Sequence, residues 1–375
     1  MNVLMGSLPI VGLFIFSSLF STYDSEHYEL EVVTIAEELE HPWSLAFLPT
    51  GDMLVTERSG QLRLISDKGQ ISKAVSGLPL ISPQGQGGLL DIALHPDYGQ
   101  NGWLYITYAS ANKQGNGTEV ARAKFDSKNL RLTDLEVIFR MSPKSGGGRH
   151  FGSRMAFDQA GYLYVTLGDR GEKDAAQRLD DHRGKIIRLN DDGSIPPDNP
   201  FINTPNALPE IYSYGHRNPQ GMTFNHKTKT LWQHEHGPQG GDEVNIIQRG
   251  KNYGWPIITY GVNYVFATKI GEGTHKEGML QPIHYWVPTS IAPSGMSFYH
   301  GDKFPKWQGN LFIGTLRRQM LVRLVIENDK VVHEEHIFEE ELGRIRDVRQ
   351  GPDGFLYLLS DADDGKILRI QPSDD

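Results

Sequence analysis

"HPWSLAFLPTGDMLVTER", His41 to Arg58, reads as an apolar strand, a Gly-Asp turn and a second apolar strand ending in polar residues. "GQLRLIS" then adds a further alternating strand. The same phrase returns as "GGLLDIALHPDYGQNGWLYITYAS", "GSRMAFDQAGYLYVTLGD", "GMTFNHKTKTLWQHEHG", "SGMSFYHGDKFPKWQGNLFIGT" and "IRDVRQGPDGFLYLLSD". A single sheet of this kind cannot bury both of its faces, so the copies must pack on one another. Six copies at these intervals predict an all-β fold, a six-bladed β-propeller of four-stranded antiparallel blades. It would form one domain over 30–375. A linear solenoid fits less well, because the long and unequal insertions between copies would interrupt stacking. The insertions at 110–150, 170–212 and 250–290 are expected to be loops on one face of the disk, where a rigid scaffold carries its sites.

Composition narrows the function. The chain has 375 residues, 38% of them hydrophobic, with 41 glycines and 21 prolines spread among short apolar runs. That suits many turns between short strands. The net charge of -9 comes from interspersed acids and bases, with no basic stripe to grip phosphates, so nucleic acid is not an expected partner. With no cysteine, disulfides, thiolate metal sites and cysteine nucleophiles are excluded. The opening "MNVLMGSLPIVGLFIFSSLF" has signal-peptide length and is short for a membrane span. A signal peptide over 1–25 and export to the periplasm are expected, with no span in the mature chain. An uncleaved anchor is the alternative, since the stretch lacks a basic n-region and a clean cleavage site.

Ionisable residues gather at one end of the copies. His150 precedes the first strand of the third copy and Asp169 follows its second strand, so the two side chains can meet. A carboxylate that orients an imidazole makes a general base near neutral pH; a structural histidine beside a turn aspartate is the other reading. Arg217 and Asn218 in "SYGHRNPQGM" occupy the equivalent end of the fourth copy, where they could polarise a carbonyl or simply form a turn. The Gly-Pro-Gln-Gly-Gly loop after it cannot be regular strand and exposes carbonyls suited to Ca²⁺. His234, Glu235 and His236 suggest zinc less well, because Glu235 points away from its two neighbours and no third ligand is apparent. Arg344 and Arg346, two apart on a strand, suit an anionic ligand or a surface ion-pair ladder. Arg317 and Arg318 stand at the same end of the fifth copy.

Taken in order, "GQGGLLDIALHPDY", "GGRHFGSRMAF", "LGDRG", "GHRNPQG", "HGPQGGDE", "KNYGWP", "IAPSGM" and "RIRDVRQGPDG" resemble the soluble PQQ-dependent glucose/sorbosone dehydrogenase family, in its aldose sugar dehydrogenase branch. The resemblance implies a six-bladed propeller holding pyrroloquinoline quinone (PQQ) and Ca²⁺. It implies that His150 takes the proton of an aldose C1 hydroxyl while hydride passes to the quinone, giving a lactone, and that electrons then pass to an external acceptor. Asp169 would hold His150, and Gln86 would sit near the reacting sugar oxygen. Arg217 would polarise the quinone carbonyl, with Asn218 as a further donor. Arg344 and Arg346 would pair with cofactor carboxylates, and Arg317 stands where some members carry a lysine on the cofactor. Trp286 would flank the substrate. The carbonyls of Gly237 and Pro238 would hold the cofactor-side Ca²⁺, while Glu243 and Tyr253 resemble part of a second, structural Ca²⁺ site. A monomer or homodimer is expected. Two other functions fit the same fold: a Ca²⁺-dependent lactone hydrolase and a non-catalytic interaction platform.

Overall fold

Six antiparallel sheets follow one another along the chain in the computed structural model, which describes residues 22–373. Their innermost strands are Pro42–Phe47, Leu89–Leu94, Gly152–Phe157, Pro219–Asn225, Pro293–Phe298 and Ile345–Gln350. Each is the first strand of one of the six phrases, and each pairs with the second strand of its own phrase. Neighbouring inner strands touch in sequence order, and Ile345–Gln350 lies against Pro42–Phe47 to close the ring. The protein is a six-bladed β-propeller.

Blades 2 to 5 have four strands each. In blade 1 the fourth place is taken by the segment after Gln61–Ile65, through an Ile65–Ile71 bridge and the N–H groups of Ser72 and Val75 on the carbonyls of Leu64 and Leu62. Blade 6 takes its fourth strand from the other end of the chain: Glu29–Leu39 pairs antiparallel with Gly365–Pro372. Thr22–Asp24 adds a fifth, outermost strand there. The expected signal peptide otherwise lies outside the described residues. The segments 110–150 and 170–212 are not all loop: Gly115–Asp126 and Arg131–Arg140 are the outer strands of blade 2, and Lys185–Leu189 and Ile211–Tyr214 those of blade 3. Four-stranded blades require these strands, and their mixed polar pattern hides them from a search for apolar runs.

The core explains the ring. An apolar cluster fills each of the six blade boundaries, for example Leu54, Leu62, Ile92 and Ile106 between blades 1 and 2, and Trp232, Val244, Ile313 and Val322 between blades 4 and 5. The cluster of Leu45, Val55, Leu359 and Ile367 between blades 6 and 1 completes the circle. Both faces of every blade are therefore covered, which accounts for strands such as Met53–Glu57 and Leu163–Leu167 being buried at every position.

One irregularity recurs in all six blades. The register between inner and second strand slips by one residue near the start of each inner strand. Such a β-bulge adds an unpaired residue and re-aims its side chain. The residues in the slips include Trp43, Asp91, Arg154, Gln220, Gly295 and Arg346. All six lie at the same end of the ring axis.

Candidate functional site

The bulged end of the axis opens into a cleft lined from every blade. Trp43, Leu90, Gln220 and Arg346 reach it from the bulges, and Arg58, Gln86, Phe151, Asn218, His236, Leu316 and Arg344 from the strand ends around them. Beneath lies a buried ion cluster. Asp91 accepts from Ser44 Oγ (2.6 Å), Arg349 (2.9 Å) and the Met155 N–H (2.7 Å), while Arg154 pairs with Asp91 at 3.3 Å and Asp347 at 2.9 Å. The Arg154 guanidinium lies 4.1 Å from the Trp43 ring centroid, so the aromatic floor of the cleft rests on a buried cation.

His150 and Asp169 meet at the rim. His150 Nδ1 is 2.6 Å from Asp169 Oδ1, and Nε2 has no protein partner among the described residues. The approach depends on two glycine runs packing backbone to backbone. A Cβ on Gly85, at φ 63°, would stand 2.3 Å from the Gly148 carbonyl oxygen. That contact lets the Gln86 N–H reach the Gly148 carbonyl (2.7 Å) and the Gln86 amide oxygen accept from the His150 N–H (2.8 Å). Gln86 therefore fixes the backbone of His150. Burial pulls the His150 imidazole below its usual range, against Asp169 and helped by the positive charges of Arg217 and Arg149. Burial alone would raise Asp169, but the hydrogen bonds from His150 and the Gly171 N–H, with Arg217 nearby, keep its carboxyl below the usual range. The pair is thus a neutral imidazole on an ionised carboxylate, the protonation state of a general base.

Arg217 stands beside this pair. Its N–H donates to Glu235 and its guanidinium to the carbonyls of Gly237 (2.6 Å) and His236 (3.1 Å). The Asn218 amide oxygen accepts from the Gly152 N–H (3.3 Å) and Gln220 (3.1 Å), tying blades 3 and 4. Arg344 and Arg346 converge on Asp361 Oδ2, each at 2.8 Å, and His41 Nδ1 takes Oδ1 at 2.8 Å. Arg346 is the bulged residue of its strand and Arg344 precedes that strand, so the bulge rather than simple pleat alternation brings them together. Arg58 faces the same cleft with no carboxylate partner among the described residues, and buried Nε of Arg346 has no hydrogen bond. Two guanidiniums on one carboxylate, with Arg58 beside them, leave positive charge unspent.

Other expected residues lie apart. Gly237, Glu243 and Tyr253 line a small cavity with Glu235 and Trp255, next to the cleft. Burial pushes the Glu243 carboxyl well above its usual range, and the nearby negative charge of Glu235 adds to this. The Tyr253 hydroxyl is already spent on the Ile246 carbonyl (2.7 Å) and Gln248 N–H (2.7 Å), leaving its backbone oxygen as the available ligand. Arg317 is exposed and does not line the cleft; Leu316 before it does. Trp286 is buried on the outer strand of blade 4 with its indole N–H on Glu334 (2.9 Å), lining a separate pocket between blades 4 and 5. Glu235 faces away from His236, holding His216 Nδ1 (2.9 Å), while His236 Nε2 meets the Pro293 carbonyl (2.7 Å). Among the described residues no three His, Asp or Glu side chains converge on a metal position.

Sequence reading missed Arg58, Trp43, Trp255 and Asp361. For Asp361 the signal was present: it follows "LYLLS" in copy six as Asp169 follows "LYVTLG" in copy three.

A family model described as Glucose / Sorbosone dehydrogenase matches residues 39–369. The chain is 45% identical to aldose sugar dehydrogenase YliI of Escherichia coli over 346 residues, 92% of this chain and 93% of that one. Among solved structures, the apo form of the soluble aldose sugar dehydrogenase from Escherichia coli superposes with a TM-score of 0.89 at 44% identity, covering 92% of this chain and 100% of the other. The PQQ-bound form of an aldose sugar dehydrogenase from Streptomyces coelicolor does so with a TM-score of 0.75 at 31% identity, covering 92% and 98%.

Proposed function

The chain belongs to the glucose/sorbosone dehydrogenase family, and from that premise we propose that it oxidises the C1 hydroxyl of aldose sugars to lactones with PQQ as electron acceptor. The observation that carries the reading is the His150–Asp169 couple at the rim of a cleft with three guanidiniums and one carboxylate. A planar polyanion fits that donor set: Arg58 lacks a carboxylate, and the Arg346 Nε is an unused buried donor. Trp43 offers an apolar face at the cleft floor. The PQQ-bound relative supports the choice of polyanion.

When bound, PQQ would supply the acceptor for the sugar's C1 hydride, which carries both electrons of the oxidation. The protein's own part is proton transfer and placement. His150 Nε2 takes the C1 hydroxyl proton, and Asp169 keeps Nδ1 protonated, so the free nitrogen is the basic one. Arg217 sets a positive charge beside the couple, where negative charge develops on the reacting oxygens. Arg58, Arg344 and Arg346 would hold the cofactor's carboxylates. Replacing Arg346 with leucine should weaken PQQ binding by about 1.5–3 kcal/mol, on the order of 10- to 100-fold in Kd, by quinone absorbance titration. An unchanged Kd would remove Arg346 from the binding set.

Calcium is part of the same proposal. The Gly237 and Pro238 carbonyls would ligate it, with cofactor oxygens completing the shell, since a hard cation needs about 6–8 oxygens and the Asp242 carboxylate beside the loop is already engaged. Both Asp242 oxygens are already occupied, by the Gly237 N–H (2.8 Å) and by Ser290, Ile291 and Ala292. Glu243 and the Tyr253 carbonyl would serve a second Ca²⁺, since they share a small cavity with Glu235 and burial beside that negative charge pushes the Glu243 carboxyl up. Export to the periplasm and electron transfer to an external acceptor complete the reading.

The test adds PQQ and Ca²⁺ to purified protein and follows dye reduction across a panel of aldoses, identifying the lactone. Saturable activity should require both additions and disappear on chelation. Quinone binding without sugar oxidation would redirect the search to other alcohols, and no binding at all would favour the lactone hydrolase or the interaction platform.

A further inference from the structure

We infer that Trp255 is a positioning residue for the general base, a role that rests on the reading of His150 above. Trp255 comes from blade 4's long connection, yet its indole N–H donates to Asp169 Oδ2 at 2.8 Å in blade 3. The carboxylate then has every oxygen assigned. Oδ1 takes His150 Nδ1 (2.6 Å) and the Gly171 N–H (2.7 Å), and Oδ2 has no donor but Trp255 among the described residues. The terminal torsion of an aspartate is broad, so without that second anchor the carboxylate can twist about its Oδ1 contact and misalign the imidazole, while Oδ1 remains the partner of Nδ1.

The indole is itself tightly held. The Trp255 backbone N–H donates to the Gly215 carbonyl (2.9 Å), and its backbone carbonyl accepts from the Gln177 amide (2.7 Å). Gln177 and Asn252 exchange two hydrogen bonds, at 3.1 and 2.7 Å. Gln177 ends the turn Lys173–Gln177 that follows Asp169. The buried ammonium of Lys185 braces that turn from below, on the carbonyls of Ala175 (2.9 Å) and Ala176 (3.1 Å). The other side of the indole faces Arg217, whose guanidinium carbon lies 5.3 Å from the ring. One side chain therefore spaces the base's carboxylate from the neighbouring cation. The charged groups around the couple are Arg217, Arg149 and Arg170. None of them donates to Asp169 Oδ2.

Trp255→Phe keeps the ring and removes the donor. A carboxylate with one donor fewer is more basic and holds the imidazolium proton more firmly. The His150 titration, followed by NMR in protein without cofactor, should move up by roughly half a unit or more. With PQQ and sugar, the acid limb of kcat/KM should move up in step, kcat should fall by about 10-fold and KM should change little. In an Asp169→Asn background the same substitution should move neither quantity, because the effect passes through that carboxylate. An unmoved His150 titration, or an equal shift in the Asp169→Asn background, would overturn the assignment. Should Trp255→Phe fail to fold, Gln177→Leu releases the indole from behind and should shift His150 in the same direction. If the wild-type protein oxidised no sugar, the functional reading would fall, while the NMR titration would still decide whether Trp255 sets the couple.

Discussion

His150→Ala should lower kcat/KM for aldoses by about 10²–10⁴-fold and leave the Kd for PQQ unchanged, since general-base transfer contributes a factor of that size. The substitution removes the imidazole that Asp169 orients and leaves the guanidinium set of Arg58, Arg344 and Arg346 intact. The two readouts therefore separate. Quinone absorbance reports the cleft, and dye reduction reports the base. Wild-type pH dependence carries the same information: burial and nearby positive charge hold the imidazole below its usual range. The working form is neutral, so kcat/KM should be flat at neutral pH and fall only as pH drops through that lowered value. Full activity in His150→Ala would return the couple to a structural role.

Asp91→Ala should destabilise the fold by about 3–5 kcal/mol, read as a lower urea midpoint with little change in slope. Its carboxylate is fully buried and serves Arg154, Arg349, Ser44 and the Met155 N–H at once. Removal leaves two guanidiniums under the cleft sharing Asp347. A buried charge deprived of its partner costs far more than a surface pair contributes. Asn at the same position keeps one acceptor and should cost less. A loss below about 1 kcal/mol for alanine would mean that Asp347 alone satisfies both cations.

The two substitutions probe features with different legibility in the sequence. The ring was legible because every blade repeats an apolar strand, a turn and an apolar strand, and both strands are buried on both faces. His150 and Asp169 were legible for the same reason: strand ends of one hairpin share an end of the disk. Arg346 was read as paired with Arg344 by alternation, yet it reaches Asp361 from a bulge, and one-residue slips do not show in a polarity pattern. Arg317 and Trp286 illustrate the opposite failure. Both stand where the ladder ends, and there side-chain direction follows loop geometry rather than pleat. Trp286 turns to Glu334 and Arg317 to solvent. Trp255 belongs to the long connection after blade 4, whose path across to blade 3 depends on contacts such as Gln177–Asn252, distant in sequence.

The pairing of Glu29–Leu39 with Gly365–Pro372 has a kinetic meaning. The first strand of the ring to be synthesised must wait for the last, and contacts of such sequence separation form late in folding. The cleft straddles this seam, with Trp43 and Arg58 on one side and Arg344 and Arg346 on the other. An unclasped chain therefore displays no binding site, however well its middle blades have formed. Any ligand that spans those residues acts as a latch, stabilising the closed ring in proportion to RT ln(1 + [L]/Kd). Occupancy of the cleft and completion of the circle are thereby linked equilibria, each favouring the other.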